Sequence, residues 1–153
     1  MNDVAIRPLK PRDLAEVVRI DAIHTGAEQH PYWTRLFDEF LTPSPDRARV
    51  ALAADADGAV VGFLFADERA FEFGSEPCGW ILEVGVDPAS ARQGVASAML
   101  AEAVRRLRQA GVTTVRTMVR RNNVPVLTFF RTNGFAGGPY VQLELMDEGD
   151  ANA

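Results

Sequence analysis

The residues with most capacity for chemistry lie between positions 81 and 97, in the run ILEVGVDPASARQGVAS. Glu83 interrupts an apolar stretch, GWILEVGVDP, whose residues face both ways as in a buried central strand. A carboxylate there is costly unless it is paired or functional. It is therefore either a general base or one half of an ion pair with an arginine such as Arg116 or Arg120 on the neighbouring strand. Period-two alternation points it to the face opposite Leu82, Val84 and Val86. The strand breaks at Asp87-Pro88 and a helix starts after Gly94. Outward amides and the positive dipole end at a helix N-terminus suit an anion, so the turn is a candidate phosphate cradle, with a plain packing turn as the alternative. No Gly-Lys-Ser/Thr follows, and the three spaced glycines of a dinucleotide fingerprint are missing.

The elements that must position this run follow from periodicity. VAIRPL alternates as a first strand, and PRDLAEVVRIDAI has helical spacing at Leu14, Val17 and Val18. A second helix runs from about Ala27 to Leu41, stopped by TPSP. Two extended runs flank Asp57-Gly58, a strong hairpin signal. After the central strand, Val95, Ala98, Met99, Ala103, Val104 and Leu107 form one helix face, closed by Gly111. VTTVRTMV reads as a strand, NNVPVLTFFRTNGF as a short helix and GGPYVQLELM as a last strand. The order β-α-α-β-β-β-α-β-α-β implies a mixed sheet with helices on both faces.

Composition narrows the class. A chain of 153 residues, 47% hydrophobic and 24% charged, is one soluble globular domain. No window approaches the ~18 apolar residues of a membrane span, and the N-terminus has no signal-peptide pattern. Cys78 is the single cysteine, so neither a disulfide framework nor a zinc site is expected, and the cytoplasm is the expected location. A net charge of −5 argues against nucleic acid as partner. Basic residues still concentrate between Arg92 and Arg131, as a receptor for one small polyanion or as a solvated face.

Val86-Asp87-Pro88 followed by Ala91-Arg92-Gln93-Gly94-Val95-Ala96 resembles the pyrophosphate signature of the GNAT superfamily of acetyl-CoA-dependent N-acetyltransferases. Asn123 through Phe130-Arg131-Thr132-Asn133-Gly134-Phe135 is similar to that family's Asn-initiated helix leading to Tyr-x-x-x-Gly-Phe. The resemblance covers nearly the whole chain in element order. It implies an α/β (mixed α+β) single domain over residues 1–146, before an acidic, disordered tail at 147–153. The implied sheet is mostly antiparallel and twisted, of about six to seven strands, with a splayed central pair.

By the same resemblance, acetyl-CoA is the co-substrate and no metal takes part. Its pantetheine pairs with the strand at Val84, Gly85 and Val86, and its pyrophosphate lies on the amides of Arg92, Gln93, Gly94, Val95, Ala96 and Ser97. Asn123 and Phe130 lie along the CoA arm. Glu83 becomes the base and the Val84 amide polarises the thioester. Two positions depart from the family: Ala91 replaces its leading Arg or Gln, and Phe130 stands where it has a general-acid tyrosine. The departing thiolate then takes its proton from Tyr140 or from water, or leaves unaided.

The expected acceptor is a primary amine of a small molecule or peptide, held between the early helices and the loops near Phe71 and Gly138. His24, Thr25, His30, Tyr32 and Trp33 either line this site or pack as core. Glu72 and Glu76 suit a cationic acceptor or an ordinary solvated loop. The competing class is a non-catalytic acyl-CoA-binding module, supported by Phe130. No membrane partner is expected, and apolar residues on the last strand suggest a homodimer.

Overall fold

In the computed structural model, residues 3–147 are described, and they fall into two compact units divided between Val119 and Arg120. The first is built on a sheet in the order β1-β2-β3-β4-β5. β1 (Val4–Pro8), β2 (Arg49–Ala56), β3 (Ala59–Arg69) and β4 (Cys78–Val86) pair antiparallel in turn. β5 (Val115–Arg116) is parallel to β4, which makes the sheet mixed. Asp57 and Gly58 both have positive φ, at 53° and 91°, and close the β2–β3 hairpin as their types require.

The face each residue takes on β3 organises the core. Phe63 and Phe65 turn toward α2 (His30–Leu41), where Trp33 stands 5.1 and 5.7 Å from their rings and Phe40 is 5.3 Å from Phe65. α1 (Leu14–Thr25) adds Val17, Val18 and Ile20 to this cluster and ends at Gly26, whose φ of 89° caps it. Gly62 turns the other way, where a Cβ would meet Met99 and Val95 at 3.0 and 3.4 Å. Those residues belong to α3 (Val95–Gln109), which buries Val95, Met99, Leu100, Ala103 and Leu107, so helices cover both faces.

The second unit contains α4 (Val124–Thr132), opened by Asn123, whose side chain accepts from the Val126 N–H at 3.3 Å. Phe130 is buried between Phe129 and Phe135, at ring distances of 5.0 and 5.1 Å. Two expectations are corrected. Among the described residues the sheet has five strands rather than six or seven. VTTVRTMV contributes only Val115–Arg116, and residues 136–147 form neither strand nor helix, because alternation is not enough without a partner ladder. The acidic tail lies, but for Asp147, outside the described residues.

Among the described residues no helix is long and apolar enough to cross a membrane. Nor, among them, do three or more His, Cys, Asp or Glu side chains group to hold a metal ion.

Candidate active site

β4 loses its neighbour halfway along. Only Gly79 and Trp80 pair with β5, and Thr117 Oγ1 adds one bond to the Ile81 carbonyl at 3.1 Å before the strands part. On the other edge the ladder to β3 continues, and the Asp87 N–H reaches the Val61 carbonyl at 2.8 Å. Strand alternation then directs the backbone groups of Glu83 and Gly85 to β3, and those of Val84 and Val86 into the gap beyond β5. An extended amide chain could pair there as an extra strand.

Two further features mark this edge. The carbonyl of Val86 already accepts from His24 Nε2 at 2.8 Å. A carbonyl only accepts, so Nε2 is the protonated ring nitrogen. Gly85 faces β3 and serves packing there, since a Cβ would strike the Phe63 ring at 2.6 Å.

Past Val86 the chain turns through Pro88–Ser90 into α3. Asp87 fixes the turn by accepting from the Ala89 N–H at 3.0 Å and from Arg19 at 2.9 Å. These same two donors, the backbone one foremost, hold its carboxyl below the usual carboxylate range. Arg92 and Gly94 take left-handed φ of 64° and 76°, and the Ala98 N–H is bonded to the Gly94 carbonyl at 3.0 Å. The amides of Val95 and Ala96 precede this first helical bond and point out of the helix N-terminus. A Cβ on Gly94 would meet nothing within 4 Å, so the space above the turn is open to a phosphate.

Glu83 reaches the α2 side of the sheet. The β3–β4 register shifts between Phe65 and Ala66, with Phe65 opposite Glu83 but Ala66 opposite Ile81, so Leu82 is the extra residue of a β-bulge. Leu82 and Glu83 consequently line the same cavity, against the opposite faces that alternation predicts. The bulge re-aims the carboxylate.

Glu83 Oε1 accepts from the Tyr32 hydroxyl at 2.5 Å. Burial raises the Glu83 carboxyl above its ordinary range, the Tyr32 bond lowers it, and nearby Asp21 raises it again. Burial, and then this same bond, push the Tyr32 phenol far up. Asp21 accepts from the Trp33 indole at 2.9 Å, which ties α1 to α2 behind the pair.

The cavity has a volume of about 520 Å³ and is lined on its far side by Asp67, Arg69 and Glu72. Tyr32 is the residue that sequence reasoning left undecided between site and core. In the structure Tyr32 packs on the core and also lines the cavity, whereas Trp33, 1% exposed, is core. His30 pairs with Glu28 in solvent, and Thr25 bonds the Asp21 carbonyl at 3.0 Å in its own helix. Phe71, Phe73 and Glu76 are exposed. In the second unit Asn123 serves as a cap, Phe130 is core and Tyr140 is 48% exposed.

The profile of the acetyltransferase (GNAT) family matches residues 15–135. A mycothiol acetyltransferase from Segniliparus rotundus is 27% identical over 140 residues, covering 88% of this chain and 52% of the relative. One from Saccharomonospora viridis is 36% identical over 87 residues, covering 55% of this chain and 28% of the relative. The chain thus spans about half or less of the curated relatives it matches. Among solved structures, the aminoglycoside N-acetyltransferase AAC(6')-Iy in complex with CoA superposes with a TM-score of 0.81 at 19% identity, over 95% of this chain and 96% of that one. A transcriptional regulator from Bacillus halodurans superposes at 0.78 and 19% identity, over 95% and 100% of the two chains. Such identities speak for the fold, whereas the profile covers most of the chain and both of its signatures: the chain belongs to the acetyltransferase (GNAT) family.

Proposed function

We propose that the protein transfers the acetyl group of acetyl-CoA directly to a primary amine held in the Glu83 cavity. The observation that carries this reading is the bulge in β4, which sets a half-buried carboxylate in a cavity while the next residue, Val84, lies beyond the stretch of β4 that pairs with β5. The pantetheine extends β4 at Val84 and Val86, and the pyrophosphate rests on the first turn of α3. At that turn Gly94 lets the backbone come close. His24 shares the Val86 carbonyl, whose two lone pairs admit a second donor.

The acceptor enters as an ammonium, of pKa near ~10.4 for a lysine-like amine. Glu83, directly or through water, takes its proton, and the free amine attacks the thioester carbon. The Val84 amide stabilises the oxyanion. Collapse breaks the C–S bond, the nitrogen gives up its second proton to water, and the CoA thiolate is expelled, its pKa of about 8.5 making it a tolerable leaving group. Phe130 cannot protonate it; the proton comes from Tyr140 or from water, or the thiolate leaves unaided, and slower transfer by Tyr140→Phe would support the tyrosine whereas unchanged kinetics would leave water. The acceptor class, a small-molecule or peptide amine, is consistent with relatives named for mycothiol and aminoglycoside acetylation. A homodimer and a cytoplasmic location belong to the same proposal.

Phe130 favours a second reading, an acyl-CoA-binding module without turnover. Calorimetric titration with acetyl-CoA, followed by thiol release across an amine panel, separates them. Binding with amine-dependent release supports transfer; binding without release across the panel supports the module.

A further inference from the structure

Asp67 lies two residues along β3 from Phe65, the cross-strand partner of Glu83, and lines the same cavity. Its side chain is only 5% exposed, and its buried Oδ1 has no hydrogen-bond partner. Two guanidinium groups stand near without closing on it. Arg69 Nε is 3.4 Å from Oδ1, outside hydrogen-bond geometry, and Arg47 is 3.8 Å from Oδ2. Each is shared. Arg69 lies over the Trp80 ring at 5.4 Å and 3.9 Å from Glu72, while Arg47 is 3.6 Å from Glu39.

Burial pushes the Asp67 carboxyl up, and Arg69 and Arg47 pull it only part of the way back. Four carboxylates line the cavity (Glu39, Asp67, Glu72, Glu83) against two guanidinium groups (Arg47, Arg69), so 4 − 2 leaves an excess of two negative charges when all are ionised. A buried acceptor oxygen without a donor is worth most to a ligand that brings a charged donor to it. Arg69, 36% exposed and held by contacts of 3.4 Å or longer, is the part of this wall able to yield.

We infer that Asp67 is a subsite for a second ammonium group, so that the cavity selects an α,ω-diamine with one amine at Glu83 and the other at Asp67. The inference rests on the acetyl-transfer reading for the identity of the reacting end. Two residues of strand set a backbone offset of ~7 Å along β3 between Asp67 and the position that faces Glu83, a spacing that a chain of four or five carbons matches.

The test is calorimetric titration of the full chain with 1,4-diaminobutane and with n-butylamine, with and without saturating CoA. The diamine is expected to bind at least about tenfold more tightly than the monoamine. In Asp67→Asn this difference should shrink to about twofold or less, with acetyl-CoA titration reporting that the variant is folded. Equal affinities for the two amines in the unmutated protein, which needs no variant, would overturn the inference, as would a preference that persists in folded Asp67→Asn. Thiol release with the same amines is scored separately. Diamine preference without release removes the transfer reading and leaves the subsite standing; release with equal binding does the reverse.

Discussion

Tyr32 Oη and Glu83 Oε1 stand 2.5 Å apart, joining the first turn of α2 to the bulge of β4 across 51 positions of sequence. The hydroxyl donates, which leaves Glu83 Oε2 to take a proton from the cavity. A base raised by burial is better matched to an ammonium than an exposed carboxylate. Glu83→Gln is therefore expected to lower kcat/KM by about 10²–10⁴ at neutral pH. The deficit should narrow at high pH, where the amine sheds its own proton. Thiol release followed against pH checks this, and a pH-independent deficit would make Glu83 structural.

Tyr32→Phe separates the hydrogen bond from the carboxylate. That bond favours the charged form of Glu83, so its loss leaves burial less opposed and the Glu83 pKa rises further. The acid limb of the kcat/KM profile should move to higher pH, with activity retained on the alkaline side. A limb that stays in place would show that Glu83 does not govern it.

The same carboxylate has a stability cost whose sign is fixed. Its folded pKa lies above the unfolded one, so protonated Glu83 contributes stability that is complete below the ordinary range near ~4.3 and lost as pH rises through the folded value. Gln does not titrate. Melting temperatures of Glu83→Gln should therefore gain on the unmutated protein from pH 4 to pH 8. A difference that is constant or falls with pH would mean that Glu83 is well paired as an ion.

How much of this was legible depends on the range of the interactions. The Asp57-Gly58 hairpin, the helix starting after Gly94 and the Asn123 cap are local, and each sits where its residue types demand. The bulge at Leu82 is not legible, because a run that is apolar on both faces has no alternation for a bulge to break, and the shift appears only against β3. The Tyr32–Glu83 contact and the approach of His24 to Val86 span 51 and 62 positions, and helical spacing alone cannot separate a core aromatic from a site hydroxyl. Residues 137–146 show the opposite, since a strand-like pattern forms no strand among the described residues.

Gly94 allows phosphate binding to be tested without confusing strain with bulk. Its φ of 76° penalises any other residue by about 1 kcal/mol, but a Cβ there touches nothing. Gly94→Ala and Gly94→Trp share that strain and differ in the volume placed over the helix N-terminus. Both should fold, with the Trp variant losing at least about tenfold in acetyl-CoA affinity relative to the Ala variant. Equal affinities by calorimetry would move the pyrophosphate away from this turn.

Outside the cavity lining, Arg7 binds both oxygens of Asp13 at 2.8 and 3.0 Å and Asp55 at 2.9 Å, joining β1 to the start of α1 and to β2. Asp13 is 3% exposed; burial pushes its carboxyl up, yet the Arg7 bonds and the Lys10 N–H bring it below its ordinary value. Arg7→Ala leaves that charge buried with only the Lys10 N–H, a loss expected to cost about 3–5 kcal/mol. A carboxyl whose folded pKa is depressed contributes stability above its unfolded pKa and loses it as pH falls through the folded value. In Arg7→Ala burial dominates, so Asp13 protonates more readily and sheds the penalty in acid. Denaturant titrations should therefore show the largest gap between the two proteins near neutral pH and a smaller one toward pH 3; a gap that widens in acid would place the stabilisation in Asp55 or in packing of the Arg7 stem.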